Sequence, residues 1–244
     1  MKQTILIIAL SLLCSITMSS QSRFDLGIFL GMSSHGGDAN SWAKDGQGMF
    51  ETSKPAFGLS ITNNLSTQFG LSLNLSSTTL EGNDMNLAEK DAWGAEHASR
   101  GYAYKTSLIE VGIGAIVRPF DKPSAEGGQN KLSPFITGGI AVAIVSDDED
   151  SRVWLNVPEN RTGAADVDQR NGSEGGIQIP LGLGLRYNLN SKMYLDLVYN
   201  ARLPLGDYLD GISLAANPDK NDAYQFCGIN FGLRLGATTP AESN

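Results

Sequence analysis

The sequence predicts an all-β fold: an eight-stranded antiparallel up-and-down transmembrane β-barrel with four long extracellular loops and short periplasmic turns. Three observations lead there. First, residues 177–203 read IQIPLGLGLRYNLN and then SKMYLDLVYNARL, with Ile177, Ile179, Leu181, Leu183 and Leu185 opposing Gln178, Gly182, Gly184 and Arg186. After a short polar turn at 188–192 the alternation resumes, Leu195, Leu197 and Leu203 opposing Asp196, Asn200 and Arg202. Strict period two over about ten residues, a tight turn and period two again is the pattern of a membrane-spanning hairpin. Second, the polar face of this hairpin holds glycine, asparagine and isolated single charges with almost no lysine. A water-exposed sheet normally carries about a quarter or more charged residues; a cramped barrel interior has this composition. The inverted arrangement, a soluble lipocalin-like barrel with the apolar face inside, would leave an exterior too poor in charge for solubility. Third, eight such stretches are joined by connections that run long, short, long, medium, long, short, long.

The elements follow in chain order. Residues 1–20 read as a cleaved signal peptide: Lys2 supplies the positive end, 5–16 the apolar core and 17–20 small polar residues suited to the peptidase. Cys14 falls inside that core and reads as a removed apolar residue, so Cys227 is left without a disulfide partner. Residues 21–244 form one barrel domain, a length of about 220 residues that suits a single unit. No other apolar run approaches the roughly 20 residues that a membrane helix needs. The formal net charge of −8 argues against nucleic acid as a partner.

Strand one spans about 24–33, with Phe24, Leu26, Ile28 and Leu30 on one face and Asp25, Gly27 and Gly31 on the other. Strands two and three, about 55–63 and 68–80, flank a short Asn-Asn-Leu-Ser turn. Strand four, about 104–118, sets Ile109, Val111, Ile113 and Val117 against Glu110, Gly112, Gly114 and Arg118. Strand five runs about 132–145, and strands six and seven are the hairpin above. Strand eight, about 224–236, sets Cys227, Ile229, Phe231 and Leu233 against Asn230, Gly232 and Arg234. Segments 35–54, 81–103, 146–175 and 205–223 are the four long loops. Long loops face outward and short turns the periplasm in outer-membrane barrels, so both termini are expected to be periplasmic. Phe24, Phe69, Tyr187 and Tyr194 then fall at the periplasmic interface and Phe57, Tyr104 and Tyr224 at the outer one, the two levels that amphipathic rings favour.

Inward parity gathers a lumen charge cluster. Asp25, Arg118, Arg186, Asp196 and Arg234 fall in the periplasmic half, and Glu110 with Arg202 nearer the outer rim. Opposite charges in a low-dielectric interior must pair or each costs several kcal/mol. An internal plug is the favoured reading over a gated ion path, because an open channel takes many more strands. The two histidines, His35 near Asp38 and His97 beside Glu96, read as exposed loop residues, and nothing around them has catalytic or metal-ligating spacing. The acidic run Asp147–Asp150 lacks the alternating ligands and glycine of a calcium loop and reads as solvated surface. No catalytic residue, metal or cofactor is expected.

Several segments also resemble a known family. They are FDLGIFLGMSSHGGDAN at 24–40, LIEVGIGAIVRPF at 108–120, SPFITGGI at 133–140, IQIPLGLGLRY at 177–187 and GDYLDGIS at 206–213. In order and over nearly all of the mature chain, these look like the PorG-type outer-membrane barrels of Bacteroidota. The more telling pieces are the loop motif with Gly37, Asp38 and Asn40, and the corner with Asp207, Tyr208 and Asp210. The resemblance implies an integral outer-membrane component of the type IX secretion system, a scaffold tying a periplasmic PorK/PorN-like ring to the membrane. Outer-membrane lipid and those ring proteins would be its partners. A surface barrel whose outer loops bind ligands, and a small-solute pore, are the competing classes.

Overall fold

The computed structural model describes residues 23–36, 53–83, 101–121, 130–147, 153–154, 162–171, 173, 175–206, 209 and 223–235. Its strands are β1 (Arg23–Gly36), β2 (Lys54–Asn64), β3 (Phe69–Asn83), β4 (Tyr102–Val117), β5 (Leu132–Asp147), β6 (Val153–Trp154), β7 (Ile177–Asn188), β8 (Met193–Pro204) and β9 (Ala223–Leu235). Among the described residues one helix, α1 (Thr162–Asn171), lies between β6 and β7. The sheet runs β3-β2-β1-β9-β8-β7-β5-β4, and β3 pairs with β4 to close it into an eight-stranded barrel. Each pair is antiparallel, including the seam where β1 meets β9 from Phe24↔Leu235 to Gly36↔Ala223. In lipid this closure is obligatory, because an open edge would leave backbone N–H and C=O groups with no partner.

The alternation of the sequence becomes the two faces of the wall. Ile28, Leu59, Leu71, Ile113, Ile140 and Ile229 are exposed on the outside, and Leu183 and Leu197 each keep 60% of their surface free. The outward apolar run is nine residues long in β4 (109–117) and eleven in β7 (177–187). At a rise of ~3.3 Å per residue and a tilt of ~40°, these runs stand about 20–25 Å tall, the height of a bilayer's apolar band. Above it the outward positions of β3, β4 and β5 change to hydroxyls, Thr79 opposing Ser107 and Ser107 opposing Ser146. The outer ends of these strands therefore continue beyond the apolar band, where Lys54 and Glu81 pair at 2.9 Å.

The inward face is crowded, which explains its glycines. Tyr194 of β8 stands opposite Gly232 of β9, and a Cβ there would fall within the tyrosine ring. Gly184 of β7 gives the same room to Phe135 of β5. A glycine across the ladder from a large ring is how so narrow a tube admits aromatics.

Two corrections to the sequence reading follow. Phe57, Phe69 and Tyr187 are exposed on the outside, but Tyr104, Tyr194 and Tyr224 are buried in the lumen, on the parity of the inward charges. Their position near strand ends suggested the interface; their parity is what decides. The 146–175 segment, expected to be loop throughout, contains β6, which extends the sheet by pairing Val153 with Ala103 and Trp154 with Tyr102, and α1.

Candidate functional site

The buried ion pairs of the lumen fall in two separate layers. In the outer one, β4 brings Glu110, 2% exposed, opposite Arg202 of β8 and Tyr224 of β9. The Arg202 guanidinium donates through Nε and Nη2 at 2.9–3.0 Å, and the Tyr224 hydroxyl donates to Oε2 at 2.6 Å. Ser76 adds a longer bond at 3.4 Å, and the Phe226 ring lies 4.7 Å from the guanidinium. Donors from three side chains satisfy the buried carboxylate oxygens, the pairing that burial of a charged group demands.

The inner layer is built on a register pair, Arg186 of β7 directly across from Asp196 of β8. They make a two-point fork at 2.8 and 2.9 Å, and Asp25 of β1 lies 3.5 Å from the third guanidinium nitrogen. Asn230 donates to Asp196 at 3.1 Å, and the Tyr194 ring lies 3.5 Å beneath Arg186. One arginine is thus shared between two carboxylates and packed on a ring.

The remaining two arginines of the expected cluster do something else. Arg118, just past β4, donates to the Thr67 carbonyl at 3.2 Å and to Asn64 Oδ1, with Asp121 at 3.8 Å. Arg234 sits across from Asp25 in the ladder, yet donates to the carbonyls of Asn190 and Ser191 at 3.2 and 3.4 Å and to Asn188 Oδ1. Both hold turns rather than cross the lumen. Between the two layers lies a cavity of about 140 Å³ whose wall includes Glu110 and Arg202 on one side and Arg186 and Asp196 on the other. Ser60, Ser72, Asn74, Thr137 and Asn200 add polar groups to a wall that also carries Phe29, Phe135, Val198 and Phe226, and the space is large enough for several waters.

A third layer, which the sequence reading missed, fills the lumen at the end of the long connections. Tyr102 and Tyr104 stack with centroids 6.1 Å apart, and Tyr224 meets Phe226 edge-on at 5.7 Å. These rings join Leu80, Leu108, Ala165 of α1 and Leu209 in one buried cluster. Thr106 bonds Ser173 at 3.0 Å, so residues of two long connections are folded onto the mouth. The inward parity of Tyr104 and Tyr224 carried the signal for the rings; nothing in the local pattern marked Ala165 or Leu209.

His35 also departs from its expected exposure. It lies in β1, buried, with its Nδ1 hydrogen-bonded to the Tyr104 hydroxyl and the two rings edge-on. His97 and Asp38, with Gly37, Asn40, Asp207, Tyr208 and Asp210, lie outside the described residues, as do residues 148–150 of the acidic run. Cys227 is exposed on the outward face. Among the described residues, no group of three or more histidines, cysteines and carboxylates is placed to hold a metal ion.

A closed eight-stranded sheet, apolar outside and filled with hydrogen-bonded polar side chains inside, defines a transmembrane β-barrel of the outer-membrane kind. The chain belongs to the family described as "Domain of unknown function (DUF6089)", whose model matches residues 3–234. Among solved structures it is similar to the N-terminal β-barrel domain of OprF from Pseudomonas aeruginosa, at 12% identity and TM-score 0.44, covering 88% of this chain and 100% of that one. It is also similar to Neisserial surface protein A, at 11% identity and TM-score 0.46, covering 89% and 97%. The outer membrane enzyme PagL is a further similar structure, at 12% identity and TM-score 0.37, covering 85% and 97%. No curated protein matches.

Proposed function

We propose that this protein is a non-enzymatic anchor in the outer membrane of Bacteroidota, exported by a cleaved signal peptide, with both termini in the periplasm. In this reading it is a PorG-like scaffold that ties the periplasmic ring of the type IX secretion system to the lipid. The observation that carries the anchor role is the filled lumen: ion pairs at two levels and a ring layer above them occupy its cross-section. A barrel closed in this way works through its surfaces. The resemblance of 24–40, 108–120 and 206–213 to the PorG-type barrels supports the secretion assignment. The surfaces within reach of a periplasmic ring are the turns at 63–67, 120–131 and 188–192.

Isolation of the tagged barrel from detergent extract, with secretion assayed in a deletion strain, tests the reading. Co-isolation of PorK/PorN-like proteins and loss of secretion are the expected results. Absence of ring proteins together with intact secretion would overturn it. A second reading, a ligand-binding surface barrel, draws on the outer ends of β3 and β4, which continue past the apolar band, and on α1 at the mouth. Trimming those loops separates the two, since a scaffold keeps secretion and a binder loses adhesion.

A further inference from the structure

The described residues of the two short turns and of the medium one between them are joined by hydrogen bonds. The β2–β3 turn is tied to the β4–β5 turn by Arg118, which donates to the Thr67 carbonyl, and by Gln68, which donates to the Pro119 carbonyl at 3.2 Å. The β4–β5 turn is tied to the β7–β8 turn by Asn188, whose backbone donates to Lys131 at 2.9 Å and whose side chain donates to Asn130 at 2.5 Å. Arg234 then fixes the β7–β8 turn to β9 through the Asn190 and Ser191 carbonyls. Each turn nevertheless displays one large apolar side chain: Leu65 is 64% exposed, Phe120 65% and Leu189 46%. Gathered at one end of the barrel, these side chains offer apolar area for contact.

Among the described side chains, the charge at this end is opposite in sign to that of the chain. Among the described side chains its rim has Arg118, Lys131, Lys192 and Arg234 against Asp121, and the layer beneath has Arg186 against Asp25 and Asp196. Five cations against three carboxylates give +2, in a protein of formal charge −8. Arg118 and Arg234 meet mainly neutral oxygens, so their charge is largely uncancelled. Both project on the inward parity, over the mouth of the lumen. Lipid headgroups surround the perimeter of a barrel and do not reach that position; a polypeptide arriving from the periplasm does.

We propose that the described residues of the turn face form a docking surface for an acidic polypeptide segment with interspersed apolar side chains, presented by a periplasmic partner. The proposal rests on the anchor reading and specifies the chemistry of what is anchored. The positive field of this face draws an acidic segment in. Lys192, exposed at the turn, and half-buried Arg234 supply charge contacts, and Leu65, Phe120 and Leu189 supply apolar ones.

The test uses the full-length barrel in neutral-lipid nanodiscs and a labelled synthetic peptide of glutamate with interspersed leucine. Salt-sensitive binding is expected, with no binding of the lysine-for-glutamate peptide. Lys192→Glu and Leu189→Ser, both at exposed sites that spare the fold, are each expected to weaken it by tenfold or more, and Lys105→Gln at the other end to leave it unchanged. Absence of binding, indifference to both turn substitutions, or equal competition by phosphatidylglycerol vesicles would overturn the proposal, the last identifying a membrane-contact surface instead. Co-isolation of ring proteins by both turn variants as well as by wild type would also sink the docking surface and leave the anchor standing. Failure of co-isolation by wild type would sink the anchor itself.

Discussion

Arg202 and Glu110 show what the interior asks of a single side chain. Their pairing was legible from parity and depth alone, because two opposite charges at one level of a narrow tube have nowhere else to go. The roles of Arg118 and Arg234 were not, since a guanidinium at the rim chooses between carboxylates across the lumen and carbonyls of the nearest turn, and only the stagger of the strands decides. Removing one partner of a buried pair strands the other, which costs about 3–5 kcal/mol. Arg202→Ala is therefore expected to lower the temperature at which the folded, heat-modifiable band disappears on gels. Replacing the pair together, Glu110→Gln with Arg202→Met, is expected to restore most of that loss, as no uncompensated charge remains.

At the level of elements, the eight barrel strands were readable because lipid and lumen both impose the same period of two. Their boundaries fall within three residues of the pattern, as in β3, expected to end at 80 and observed to Asn83. Helix α1 was not readable: the barrel wall dictates nothing about a long connection, and Ala165 and Asp168 only acquire meaning once the mouth they fill is known. Both are buried, one turn apart on α1. Deleting 162–171 should uncover the ring layer beneath. In a Cys227→Ser background, Thr106→Cys is expected to resist a water-borne thiol reagent added to intact cells, and to become labelled when the helix is removed. Equal labelling with and without the helix would mean that α1 does not cover the mouth.

For the whole molecule, closure is in series. The inner ion layer, the outer ion layer and the ring layer each span the same lumen, with the cavity between the first two. Opening one leaves the others in place, so neutralising Arg186 and Asp196 together is expected to yield no current in planar bilayers. Arg118→Ala is expected to be equally silent, because Arg118 braces a turn and closes nothing. Current should appear only when the inner pair, the Glu110–Arg202 pair and helix α1 are all removed. A conducting Arg186→Ala single variant would show that the inner layer is the sole barrier.

The seam has a consequence for how the protein is made. β1 is the first strand to emerge and β9 the last, yet they are neighbours in the finished wall. Until residue 235 has been delivered, β1 and the growing tail each carry a row of bare amides and carbonyls that hydrocarbon does not tolerate. The barrel wall therefore cannot close until β9 pairs with β1, and the last strand described is the one that completes it.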